Sequence, residues 1–203
     1  MSIHSSTDEH NIVTLTFDSS GAVNVIDLAF LRELEQAVAR VVNDETARGV
    51  ILASAQDSFV VGAEIDMLYG ATDAAQVFEM AQAFKATLRK LETCGKPVVA
   101  ALNGTALDGG FEIALACHYR IALDTKAQFG FPEVTLGVLP AGGGVTRMVR
   151  MFGLQTALPY LVEGTRLNAR EALDAGWIDE IVATRQELAP RAREWILQNP
   201  RAQ

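Results

Sequence analysis

Long apolar runs are missing from this chain. No stretch approaches the roughly 18 apolar residues that a membrane helix requires, so a helical membrane span is not expected. The first ten residues, MSIHSSTDEH, are polar and contain no apolar segment of a secretory signal. Cysteine is scarce, with only Cys94 and Cys117. In a chain without a secretion signal two such residues read as buried free thiols rather than a disulfide, and the cytoplasm is the expected compartment. Positive charge is in deficit: 17 Lys and Arg stand against 25 Asp and Glu, for a net charge of −8. That balance argues against nucleic acid, which selects basic faces. It leaves room for a phosphorylated ligand held by a few lysines or backbone amides. The three histidines, His4, His10 and His118, are scattered, and Cys117-His118 has no second pair at ligand spacing. The expectation is therefore no metal.

Several nucleotide and hydrolase signatures are missing too. The glycines from Gly104 to Gly110 are followed by Phe111 and Glu112, where a phosphate-binding loop would need Gly-Lys-Ser/Thr. The chain has no G-x-G-x-x-G of a dinucleotide fold and no G-x-S-x-G elbow.

What is present is a chain of 203 residues, 49% hydrophobic, enough to bury one sizeable core. Residues 1–10 read as a loose, disordered tail. Ile12 to Phe17 alternates as a strand does. Asp27 can cap a helix running to about Val42, with Leu28, Leu31, Leu34, Val38 and Val41 as its buried stripe. Val50 to Ala53 reads as a buried strand, and Asp57 to Asp66 as a short strand ending in a turn at Gly62-Ala63. A long helix starts at Thr72 or Asp73 and runs to about Thr93. Its stripe of Val77, Met80, Ala81, Phe84, Leu88 and Leu91 reads as core rather than as a cofactor box. Further strands are expected at Pro97–Leu102, Tyr119–Leu123 and Trp177–Val182, and further helices after Gly144, over 154–163, after Asn168 and over 186–198. Strands interleaved with helices define an α/β class. No repeat, low-complexity segment or linker divides the chain.

One stretch organises the rest. The apolar run Pro97 to Leu102 enters a turn that leads to Gly109-Gly110 and then to a helical pattern through Cys117. Glycines at a helix start leave bare N–H groups that an oxyanion or phosphate can approach. Glu112 lies in the first turn of that helix, and Glu133 follows Pro132 at the mouth of another loop. Either glutamate alone is explained as well by a solvated first-turn or loop position. Two carboxylates near several glycine corners can instead do acid–base chemistry beside a developing negative charge.

These residues also carry a family resemblance. GTALDGGFEIALACHYRIA and FGFPEVTLGVLPAGGGVTRMVR, in that order, resemble the core signature of the crotonase (enoyl-CoA hydratase/isomerase) superfamily, most of all the hydratase part of multifunctional fatty-acid oxidation α-subunits. The resemblance runs from about Ile12 to Trp195. It implies a ClpP-like spiral of ββα units and a coenzyme A thioester as substrate, with no separate cofactor. Carried over residue by residue, it implies an oxyanion hole formed by the N–H groups of Ala63 and Gly109. It makes Glu112 the base that activates water for Cβ and Glu133 the acid that protonates Cα. Gly62, Glu64, Ile65, Gly110 and Ala141 are further substrate-binding candidates. Isomerase members usually keep one acid, so two favour hydration of a trans-2-enoyl-CoA. The alternatives are double-bond isomerisation and a non-catalytic acyl-CoA-binding module. Partners of this resemblance would be a second copy of the chain or a fatty-oxidation complex subunit.

The chain departs from the family pattern in two places. Asp108 and Ala141 stand where glycine is usual. A carboxylate at 108 pointing at the oxyanion would oppose catalysis. Residues 11–203 are expected to form the hydratase domain, ending before the C-terminal helical region or the dehydrogenase part that follows in relatives of this kind.

Overall fold

The computed structural model describes residues 1–64, 67, 70 and 72–201. Its principal sheet has six strands: β1 (Ser2–Thr7), β2 (Ile12–Asp18), β3 (Gly49–Ser54), β4 (Val98–Leu102), β6 (Tyr119–Leu123) and β9 (Glu180–Val182), in the order β1-β2-β3-β4-β6-β9. All neighbours are parallel except β1 and β2. A smaller sheet joins β5 (Ala106–Leu107), β7 (Phe129–Gly130) and β8 (Arg166–Leu167). The helices are α1 (Leu28–Asn43), α2 (Ala74–Glu92), α3 (Gly109–Leu115), α4 (Gly144–Phe152), α5 (Leu154–Glu163), α6 (Ala169–Asp174) and α7 (Arg185–Gln198). None of the described helices is long and apolar enough to cross a membrane.

Strand alternation divides the apolar residues between two cores. Val50 and Leu52 of β3, with Val98, Ala100 and Leu102 of β4, face the larger core under α1 and α2. Ile51, Val99, Ala101 and Ile121 face the other way and pack on Leu188, Ala192 and Ile196 of α7. Asp27 caps α1, its side chain accepting from Phe30 N at 2.6 Å. Asn168 and Glu171 form a capping box on α6. Cys94 and Cys117 are free thiols, as expected, but only Cys117 is buried; Cys94 is half-buried.

Four expectations need correction. Residues 2–7 are not a loose tail but the edge strand β1, with Ile3 opposite Phe17. The edge position explains the polar composition, since one side of β1 has no strand to meet and most of it is exposed. Contacts remote in sequence fix it: the Met1 ammonium group lies 3.3 Å from Asp27 and Ile3 N donates to Glu33 at 2.7 Å. The segment after Asp57 forms only isolated bridges, Val60 to Ala106 and Ile26 to Ala63, and Asp66 lies outside the described residues. The last strand is shorter than expected, because Trp177 N turns back to Ala172 O at the end of α6 and the ring enters the core against Phe111 and Tyr160. In α1, Leu28 is exposed while Phe30 and Ala37 join Leu34, Val38 and Val41 in the core.

Candidate active site

The small sheet explains why two glutamates far apart in sequence meet. β5 and β7 run parallel and side by side, and Asp108 N donates to Gly130 O at 3.0 Å. The chain leaving β5 starts α3, which carries Glu112. The chain leaving β7 enters a short 3-10 turn, Pro132–Leu136, which carries Glu133. Both carboxyls line a cavity of about 250 Å³ whose walls are otherwise mostly apolar, including Ile26, Phe84, Val138 and Leu139. Val77, Met80 and Ala81 line it as well. The stripe expected as plain core on α2 is therefore core only from Phe84 onward; its N-terminal half forms the cavity wall.

Glu112 is 1% exposed, and each of its oxygens receives a backbone donor. Gly142 N donates to Oε2 at 2.8 Å and Gly144 N to Oε1 at 2.7 Å. Only glycine fits this embrace. A Cβ on Gly142 would lie 2.4 Å from Phe84 and 2.6 Å from Oε2, and one on Gly144 would lie 2.6 Å from Phe131. Burial pushes the Glu112 carboxyl up to about 7; the Gly144 and Gly142 N–H groups and Arg147 pull it down, and the neighbouring Asp108 pushes it up. Its ionised and protonated forms are thus both accessible near neutral pH.

Glu133 has a different environment. It is 2% exposed, and neither oxygen receives a hydrogen bond from the described residues. Burial first, and then the nearby charge of Asp108, hold it well above the usual carboxylate range. Two carboxyls in one cavity are thereby pushed apart in proton affinity, the condition for a base and an acid to coexist at one pH.

Asp108 is the unexpected member. Its Oδ2 accepts from Ala63 N at 3.1 Å and its Oδ1 from Gly109 N at 2.6 Å. The two N–H groups assigned to an oxyanion by resemblance therefore converge on one side chain of the chain itself. Asp108 sits at φ 55° and ψ −134°, a backbone region that favours glycine. Asp108, Glu112 and Glu133 each bring a carboxylate oxygen within 4.8 Å of the others. Four backbone N–H groups point at two of these carboxyls.

The remaining candidates divide. Ala63 and Gly109 line the cavity, as does Ala141. Ala63 is fixed by pairing with Ile26, through Ile26 N to Gly62 O at 2.8 Å and Glu64 N to Ile26 O at 2.9 Å. Gly62 does not line the cavity, but it gives Asp108 room: at φ +113°, its Cβ would lie 2.9 Å from Asp108 Oδ2. Glu64 is exposed and faces a separate hollow with Thr72 and Asp73. Gly110 is a packing residue, since a Cβ there would lie 2.0 Å from Val60 O. Ile65 lies outside the described residues.

Sequence reasoning missed Arg147. This residue of α4 is 8% exposed, donates from Nη1 to Gly142 O at 3.0 Å, and pairs with Glu92 at 3.3 Å. It holds the glycine loop that holds Glu112. An arginine one helical turn beyond a triple glycine was the available signal, because that spacing lets its side chain fold back beneath the loop.

An α/β fold that sets two buried carboxyls in the wall of an apolar cavity is an arrangement that can carry acid–base chemistry. The chain belongs to the enoyl-CoA hydratase/isomerase family, which it matches over residues 7–201. The fatty acid oxidation complex subunit alpha of Shewanella loihica is 39% identical over 177 residues, covering 86% of this chain and 25% of the relative. The protein of the same description from Idiomarina loihiensis is 36% identical over the same lengths. The chain thus spans about a quarter of the length of these curated relatives. An enoyl-CoA hydratase from Bacillus anthracis, solved by crystallography, superposes with a TM-score of 0.89 at 30% identity, covering 98% of this chain and 76% of that one. The architecture is that of the crotonase fold.

Proposed function

We propose that this chain is an enoyl-CoA hydratase domain of fatty-acid oxidation, which adds water to a trans-2-enoyl-CoA to give a 3-hydroxyacyl-CoA. The observation that carries the reading is the pair Glu112 and Glu133, buried in one cavity and biased to different protonation. Ionised Glu112 takes a proton from water as its oxygen bonds to Cβ. Protonated Glu133 delivers a proton to Cα as the enolate collapses. The π electrons of the double bond move onto the thioester oxygen and return, so the overall change is the addition of one water. The Ala63 and Gly109 N–H groups receive the transient charge, a role in which losing one donor typically costs on the order of 10²–10³ in rate. The substrate brings coenzyme A with it, and the reading requires no metal or redox cofactor. By likeness to the named relatives, the domain acts within a larger fatty-oxidation subunit.

The test is the ultraviolet absorbance of a short trans-2-enoyl-CoA. The wild-type chain bleaches the conjugated band and the Glu112→Gln and Glu133→Gln variants do not. A 3-enoyl-CoA that gains the band instead, with the 2-enoyl-CoA left unhydrated, would establish the isomerase and overturn this reading.

A further inference from the structure

We infer that Asp108 is a built-in competitor for the substrate carbonyl: its carboxylate occupies both oxyanion donors, and a thioester binds productively only when this side chain leaves them. The inference rests on the reading of Ala63 and Gly109 as the carbonyl's donors, and it assigns the chain a specificity-determining residue.

Geometry carries it. The two carboxylate oxygens of Asp108 take one donor each, Ala63 N at 3.1 Å and Gly109 N at 2.6 Å. A thioester oxygen entering the same place must receive both. It is a neutral acceptor competing with a carboxylate for the same N–H groups, and charge-assisted hydrogen bonds are roughly twice as strong as neutral ones. The neighbourhood accommodates the occupant from both sides. Gly62, 46 residues earlier in the chain, presents no Cβ where one would approach Asp108 Oδ2 to 2.9 Å. Asp108 itself holds a φ of 55° that an L-residue rarely adopts. Glu133 and Glu112 lie against the same carboxylate. An enolate oxygen forming beside an undisplaced Asp108 would therefore meet negative charge where the reaction needs positive dipoles. The acidic group that fills the hole also opposes the charge the hole exists to stabilise.

A ligand without a carbonyl at this position would leave the contact in place.

The experiment uses a saturated hexanoyl-CoA labelled with ¹³C at the thioester carbonyl, which binds but cannot be hydrated. Infrared difference spectra read the carbonyl stretch, titration reads affinity, and hydration of trans-2-hexenoyl-CoA is followed in parallel. Wild type is expected to bind weakly with a nearly unshifted carbonyl. Asp108→Gly is expected to bind at least about tenfold more tightly, to move the stretch to lower frequency, and to raise kcat/KM by about 10²-fold. Asp108→Asn offers one acceptor and an NH₂ that repels the second donor, so it falls between them and serves if the glycine variant is poorly folded. A wild-type carbonyl already shifted as far as in the variants, or equal affinity in all three, overturns the competitor. Tighter binding and a shifted carbonyl in Asp108→Gly without hydration would keep the competitor and sink the hydratase reading. Fast hydration by wild type, unchanged in the variants, would do the reverse.

Discussion

Replacing Glu133 with glutamine tests the electrostatics of the cavity through stability alone. Glu133 is 2% exposed and its oxygens receive no donor among the described residues. Burial and Asp108 raise its carboxyl above the ordinary 4.5. A folded-state pKa above the unfolded one means that the native chain holds the proton more tightly. The stabilisation is complete below about pH 4.5 and is lost as pH rises through the folded value. Glu112 contributes a slope of the same sign, between 4.5 and about 7. Carboxyls with lowered values, such as Asp8 and Glu92, act in the opposite sense and only as pH falls below their ordinary range. His118, lowered mainly by burial, opposes the glutamates as pH rises toward 6.5. Wild type alone therefore gives a mixed profile, but these other groups largely cancel in the difference between wild type and Glu133→Gln. Glutamine matches the shape of a protonated glutamate, so the two chains should have nearly equal stability at about pH 4.5 and below. Toward about pH 9 the variant should become more stable by about 1–3 kcal/mol, the cost of a buried polar group left unsatisfied. With a urea slope of about 2 kcal/mol per molar, the midpoint rises by about 0.5–1.5 M. Fluorescence of Trp177, which is 0% exposed, follows unfolding. Stability curves that stay parallel from acid to alkaline pH would refute the argument.

Two further substitutions probe the support of Glu112. Gly144→Ala drives a methyl to 2.6 Å from Phe131 and 3.0 Å from Glu112 Oε1; it should cost about 1–3 kcal/mol in urea unfolding and most of the hydration rate. Arg147→Met frees Gly142 O and leaves Glu92 with Arg89 as its remaining partner, for a loss of about 0.5–1.5 kcal/mol. Because Arg147 favours the ionised form of Glu112, the rising limb of the pH–rate profile should also move to higher pH, and Arg147→Lys should restore part of that shift.

Much of the fold is legible because it rests on local rules. Val98 to Leu102 is apolar throughout, as a strand buried on both faces must be. Asp27, Asp73 and Asn168 stand at helix starts where their side chains accept from the first free N–H groups. What escaped depends on partners. The strand Ser2–Thr7 has one apolar residue facing the core side, Ile3, and exists because β2 supplies its ladder. Trp177 sits in an apolar run that reads as a strand. Its backbone instead closes α6 through Ala172 O, because the ring has a place in the core that the strand direction would deny it.

The site is legible in its parts and not in its assembly. Glycines before Phe111 and before Val145, an acid in the first turn of a helix and another after a proline are all visible in the sequence. Their convergence is made by two strands of two residues each, β5 and β7, too short to leave a period. Asp108 shows the limit most clearly. The sequence presents an aspartate where the family resemblance implies glycine, and from that one can infer a backbone position with positive φ, which aspartate tolerates better than most residues. Which way the carboxylate points is decided by Ala63, 45 positions away, whose N–H is aimed by its pairing with Ile26, and by the empty space at Gly62. A substitution read along the chain gives its strain, but its effect on chemistry is set by the donors it meets. Here those are the same two donors that the proposed reaction assigns to the thioester carbonyl.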